Sequence, residues 1–367
     1  MVVLSQVVDL HTLTPWQVVC SGHYHLEELT VKLYCGIDLH SNNHYLTLID
    51  EDDRRVIEKR LPNDLAVTLK TLEPYRADIT GIAVESTFNW YWIVDGLMDA
   101  GYCLKLVNTA KARQYDGLKH TDDRHDAFWL AHQMRLGILP TAYIYPKAER
   151  AVRDLLRVRR RLVRQRTTHV LSTQSTFWRH TAAKLPCKVI VGEKKAPWPQ
   201  LPNAHDELGV EAHRAAIEVL TKQIERIERT VLKALKPRTD YQMLRTVSGI
   251  GEVIAWTIVL ESGDLKRFKN VGHFASYARC VDSKRTSNEK KKGEGNVKNG
   301  NPYLAWAFFE AAHFATQFLP VARRFYEKKA AQRNPILAMK ALSHKLARAS
   351  FYIMRDQVPF DPARLFG

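Results

Sequence analysis

Four acidic residues stand where carboxylates can do metal chemistry. Asp123 and Asp126 are three apart in the stretch Lys119–Leu130, which continues helically through Ala127, Leu130 and Ala131, so both project from one helix face. Two like charges held that close repel, and a divalent cation between them removes the penalty. The same spacing also suits a solvated first turn, where acidic side chains favour the helix dipole. Asp38 and Glu85 each end an apolar stretch read as a strand. In open α/β sheets ligands gather beyond the carboxyl ends of strands, so the four acids can converge on one or two metal ions.

The elements that must position them follow from periodicity. Val31–Asp38 reads as a strand, Tyr45–Asp50 as its hairpin partner and Arg55–Leu61 as a third strand. Leu65–Tyr75 suits a helix, and the almost wholly apolar Ile79–Glu85 suits a strand covered on both faces. Trp90–Ala100 is a helix, Cys103–Val107 a strand, and the Asp123 helix follows. That order is α/β with a mixed sheet. With acids at two strand ends and on one helix, it resembles the RuvC-type branch of the ribonuclease H fold, whose carboxylates hold two Mg²⁺ for phosphodiester chemistry.

Lysine and arginine number 55 against 39 acidic residues, a net charge of +16, which favours a polyanionic partner over a small-molecule substrate. Eight arginines fall between Arg150 and Arg166 in a long basic helix expected over Lys147–His180, with Asp154 the only acid from Arg150 to His180. A merely solvated face usually carries both signs, so Arg153, Arg157, Arg160 and Arg164 are expected on a phosphate backbone. Prolines punctuate 181–206, after which Ile217, Leu220, Ile224, Ile227, Val231 and Ala234 form a coiled-coil seam. Its partner is either this chain's arginine helix or a second subunit. The five cysteines include no C-x-x-C pair, against a zinc site or a disulfide framework.

Leu244–Leu260 reads as helix, Gly249-Ile250-Gly251 turn and helix. It is either a helix-hairpin-helix, whose turn offers backbone N–H groups to a DNA phosphate, or a compact interhelical turn. From Asp282 to Asn301 the chain is polar and basic, with Lys290, Lys291, Lys292 and Lys298 suited to clamping phosphate. This is either a disordered basic tail or a loop that orders on nucleic acid, and the helices expected on both sides favour the loop.

With both halves read, the chain resembles the DEDD transposases of bacterial insertion sequences, the IS-one-ten type, bridge-RNA-guided serine recombinases. The first half carries Gly36-Ile37-Asp38, Val84-Glu85-Ser86 and Thr121–Ala127, similar to that family's three acidic blocks; the second carries Ser248–Gly251, Phe274–Ala278 and Lys298–Asn301. The resemblance implies Asp38, Glu85, Asp123 and Asp126 as Mg²⁺ ligands, with Asp122 a neighbour. Counting back from Gly300-Asn301, it implies Ser287 as nucleophile, with Ser283 its rival. The chain departs from the family pattern at Asn288, Arg279 and Asp282, where glycine, glycine and proline are usual.

The expected protein is a DNA transposase or recombinase working through a phosphoserine link. Its expected partners are DNA and a structured guide RNA, in a homodimer or tetramer. A metal-dependent Holliday-junction-type nuclease and a non-catalytic DNA-binding protein are the alternatives. The expected divisions are an N-terminal extension over 1–30, a RuvC-like domain over 31–146, a basic helix and coiled coil over 147–240, and a mostly helical transposase domain over 241–367. No apolar run approaches the roughly 18 residues of a membrane span, and no basic n-region precedes an apolar core, so a cytoplasmic, nucleoid-associated location is expected.

Overall fold

The computed structural model describes residues 31–112, 122–182, 184–282, 285–287, 289–293 and 299–367. The expected N-terminal extension, Ser283 and Lys298 lie outside them. The chain forms two compact units that meet in sequence at Ile144 and Tyr145.

The first unit is built on a five-stranded sheet in the order β3-β2-β1-β4-β5. Its strands are β1 (Leu33–Leu39), β2 (Asn43–Ile49), β3 (Arg55–Pro62), β4 (Ile79–Glu85) and β5 (Leu104–Val107). β1 pairs antiparallel with β2 and parallel with β4, which gives the mixed α/β sheet expected. Alternation sorts the side chains of β1. Cys35, Ile37 and Leu39 enter one core together with Leu72, Ile93 and Leu97 of α1 (Leu65–Leu72) and α2 (Tyr91–Asp99). Gly36 and Asp38 face the other way. After the short α3 (Thr109–Ala112) the chain reaches α4 (Asp123–Arg135), which packs on that second face.

Gly36 sets how close α4 comes. A Cβ there would stand 1.9 Å from the Ala127 carbonyl oxygen and 2.8 Å from the Ala131 nitrogen, so the helix backbone rests directly on the strand. Ala127 and Ala131 are correspondingly fully buried. The far end of α4 is tied down by Asp53, in the turn after β2, which accepts from Arg135 Nε at 2.7 Å and pairs with His132 Nδ1 at 2.9 Å. Burial alone would raise the Asp53 carboxyl, but the hydrogen bonds from His132 and Arg135 hold it below the ordinary carboxylate range. Its contribution is therefore present above that range and lost as the pH falls through it. Asp53→Ala is expected to cost about 1–2 kcal/mol. A thermal melt at neutral pH checks this, and the difference from wild type should shrink in acid.

The second unit is mostly helical. α5 (Lys147–Thr181) and α7 (Ala204–Leu235) flank a connection that holds α6 (Cys187–Ile190). Arg159–Glu228, Arg166–Thr221, His169–His213 and His180–Asp206 pair in opposite order along the two long helices, so these run antiparallel. Val210, Ile217, Ile224 and Val231 recur every seven residues and are buried, so the partner of the coiled-coil seam is the arginine helix of the same chain. Both helices, expected as a separate middle region, belong to this unit.

The rest is α8 (Thr239–Leu244), α9 (Glu252–Ser262), α10 (Val271–Tyr277), α11 (Pro302–Phe318), α12 (Pro320–Gln332), α13 (Pro335–Asp356) and α14 (Pro362–Phe366). Every residue of α9 from Ile254 to Ser262 is buried, as expected of a helix with apolar residues on all sides. Phe274, Phe308, Leu342 and Phe351 surround it. Within the basic stretch after α10, described residues form a short hairpin of β6 (Arg285–Ser287) and β7 (Lys290–Gly293). Among the described residues, no helix is long and apolar enough to cross a membrane.

Candidate metal centre and nucleic-acid interface

The register places the first two acids side by side. Ile37 pairs with Val84 across the parallel β1–β4 ladder, so Asp38 and Glu85 are next in line, both on the α4 side of the sheet. The close contact at Gly36 then lowers the first turn of α4 over them, which brings Asp123 and Asp126 to the same end. Asp38 is only 4% exposed. Burial is the largest reason its carboxyl is pushed up from an ordinary 3.8 to about 8. A hydrogen bond with Glu85 and the charges of Glu85, Asp126 and Asp123 add to the rise.

A residue not singled out in sequence completes the cluster. His40 Nε2 lies 3.1 Å from Asp38 Oδ2 and 3.3 Å from Asp123 Oδ2, off the direction of a hydrogen bond to either. Asn63 and Asn89 both donate to the His40 carbonyl, at 3.0 and 2.9 Å, and so fix its position. Asp38, His40 and Asp123 offer ligand atoms within 4.8 Å of one another. The signal was in the spacing: Asp38-Leu39-His40 at a strand end puts the first and third side chains on one side. Asp122 has a different task. Its carboxylate caps α4 by accepting from the His125 backbone N–H at 2.8 Å.

These residues fit a hard divalent cation. Carboxylate oxygens crowd onto a buried acid that only a proton or a cation can neutralise, and the His40 nitrogen is a buried polar atom without a hydrogen-bond partner. A pH dependence follows from the raised Asp38 value. Its contribution to stability is fully present below the ordinary carboxylate value and is lost as the pH rises through about 8. In a chelator the melting temperature is expected to fall by several degrees between pH 5.5 and 9, and added Mg²⁺ should restore more at the upper end. Asp38→Asn should flatten the slope.

The basic candidates separate by burial. Arg153 is buried, stacked on the Tyr145 ring at 4.1 Å and bonded to Asp154, contacts that give it a structural role. Arg157 donates from Nε and Nη2 to Glu261 at 2.7 Å each. Glu261 also accepts from Asn301 Nδ2 at 2.8 Å, and Asn301 Oδ1 caps α11. This anchor, also absent from the sequence reading, ties α5, α9 and α11 together. Arg160 lies over aromatic rings, while Arg161 and Arg164 are exposed.

Gly249, at φ +107°, is a packing position. A Cβ there would stand 2.6 Å from Ala315 N and 2.7 Å from Ala311 O on α11, which explains the glycine without a DNA phosphate. Gly251 caps α9 with open space beside it, but Glu252 puts a negative charge in the first turn. In the hairpin, Ser287 pairs with Lys290 and Thr286 with Lys291, and Lys290 and Lys292 are exposed.

Comparison with known families decides what these parts are. A DEDD family model of the IS110 type, described as "Transposase", matches residues 35–177, and the model "Transposase IS116/IS110/IS902 family" matches residues 241–327. Two separate stretches of the chain are thus similar to IS110/IS116-type transposase models. The first match covers the acidic cluster, and the second runs from within α8 into α12, with the serine hairpin inside it. Relatives of similar length include a "Probable family 20 transposase" of Pseudomonas aeruginosa, 23% identical over 77% of this chain and 86% of its own. The transposase for insertion sequence element IS1328 of Yersinia enterocolitica is 23% identical over 89% of this chain and 97% of its own.

Proposed function

We propose that this chain cuts and rejoins DNA as the transposase of an insertion sequence, with Asp38, Glu85, Asp123 and Asp126 holding Mg²⁺ and Ser287 as the nucleophile. The observation that carries the reading is Asp38, raised first by burial and then by Glu85, Asp126 and Asp123, in a chain that is similar to two transposase models. A divalent ion bound there would neutralise charge on the scissile phosphate and lower the pKa of a hydroxyl beside it. His40 Nε2 stands within 3.1 and 3.3 Å of the Asp38 and Asp123 oxygens and could share the same ion. Ser287 supplies the hydroxyl, to the acids of its own or another subunit, forming a P–Oγ bond as one backbone P–O bond breaks. The resulting phosphoserine conserves the bond, so strands rejoin without ATP. Lys290, Lys291 and Lys292 stand across the hairpin from Ser287 or beside it, and Lys298 follows, a set suited to phosphate.

The wider proposal is a dimer or tetramer that acts on DNA with a structured guide RNA held through backbone charge and helix shape. The deciding experiment is denaturing electrophoresis of the protein with labelled element-end DNA in Mg²⁺, together with co-purified RNA. Wild type should give a covalent adduct and Ser287→Ala none. Persistence of the adduct in Ser287→Ala removes the nucleophile assignment and points to Ser283. Cleavage with free ends and no adduct would instead support a water-using nuclease, and binding without strand change a non-catalytic DNA-binding protein.

A further inference from the structure

The second unit holds a recess that the cutting chemistry leaves unused. Arg157, Arg160, Arg161 and Arg164 line it from α5, with Pro302 and Tyr303 of α11 opposite, around about 200 Å³. It runs on into a space of about 210 Å³ that shares Arg157, Arg160, Arg164 and Tyr303 and reaches Trp306, with Glu261 among its walls. Four guanidinium groups thus share the recess with one carboxylate, which Arg157 already holds bidentately, so among the described residues lining it an excess of three positive charges is left. Arg159, at the rim, is neutralised by Glu228. Burial first, and then the neighbouring Arg164 charge, hold the Arg160 guanidinium below its ordinary range, a strain that an anion would relieve.

The rest of the wall is aromatic. The Arg160 guanidinium carbon lies 4.9 Å from the Tyr303 ring centre and 4.9 Å from that of Trp306, and Arg157 lies 4.7 Å from Tyr303. The N-terminus of α11 is not the attraction, because Asn301 already satisfies the Tyr303 and Leu304 N–H groups. Guanidinium forks beside half-buried aromatic rings suit a phosphate joined to a flat ring. A base inside a duplex has both faces covered and cannot reach such walls.

We propose that this recess takes one unpaired nucleotide of a single-stranded nucleic acid, its base against Trp306 and Tyr303 and its phosphate between Arg161 and Arg164. The inference rests on the nucleic-acid reading above and names a binding site apart from the acidic cluster. Fluorescence anisotropy with short labelled oligothymidylate, oligouridylate, an abasic strand of equal length and a duplex, each over a salt series, tests it. For Trp306→Leu, affinity for the base-bearing strands should fall roughly 5- to 100-fold at an unchanged salt slope, with the abasic strand and duplex unaffected. Trp306→Phe should keep most of the affinity and serves if the leucine variant folds poorly. The Arg161→Gln, Arg164→Gln pair should lower the salt slope for single strands by about one. A larger loss with thymidylate than with uridylate assigns the recess to DNA, and the reverse assigns it to RNA. Equal wild-type affinity for abasic and base-bearing strands, or equal loss on duplex and single strand, overturns the site while leaving the transposase reading intact. No binding to any of the four overturns both.

Discussion

Asp38→Asn is expected to lower Mg²⁺-dependent strand cleavage by about a thousandfold or more while raising the melting temperature of the cation-free protein. The two effects have one cause. The Asp38 side chain is buried against Glu85 and within the field of Asp123 and Asp126, so its negative charge is unfavourable until a cation arrives. An amide of the same shape removes the repulsion and the ligand together, the trade between stability and activity usual at strained sites. Asp123→Asn should lose activity similarly with less gain in stability, since its side chain is 52% exposed. Asp122→Asn is the control: asparagine caps a helix as well as aspartate, so both quantities should hold. Single-turnover cleavage of element-end DNA, with a thermal melt of each variant, reads all three. Full activity in Asp38→Asn would remove the metal centre from the mechanism.

Arg157→Ala is expected to destabilise the second unit by about 3–5 kcal/mol. Glu261 is almost wholly buried and receives two hydrogen bonds from Arg157 and one from Asn301. Truncating the arginine leaves that carboxylate, whose side chain is 2% exposed, without its two charged donors. Pairing the change with Glu261→Leu should recover much of the loss, because the leucine removes the orphaned charge, although Asn301 then loses an acceptor. Urea titration of the two single variants and the double gives the coupling energy. If the singles sum to the double, the anchor is absent in solution. A folded Arg157→Ala that also fails to bind DNA would give the arginine a second role at the surface.

The sheet and the four acids were legible because strands declare themselves by apolar runs and carboxylates by their position at the ends. β4 begins and ends on the residues expected, Ile79 and Glu85. The arginine helix shows where that legibility stops. Arg153 and Arg164 are identical by residue type and helical spacing, yet one is buried on Tyr145 and the other exposed. Which face of α5 meets α9 depends on partners about a hundred residues away, and no local pattern contains them. Gly249 is ambiguous in sequence for a related reason, since a glycine required by a neighbouring backbone and one required by a ligand look alike in a string of letters. His40 was missed because a lone histidine after a strand is ordinary until Asp123 arrives from the other side of it.

The bare contact between Gly36 and Ala127 means that, on the proposed function, a copy of the gene could be silenced without losing a single acid. One added methyl group on β1 would lift α4 and carry two of its aspartates out of alignment while all four acids stayed in the sequence. An inventory of working copies based on the acids alone would therefore count dead ones as live, and the glycine is the letter to inspect first.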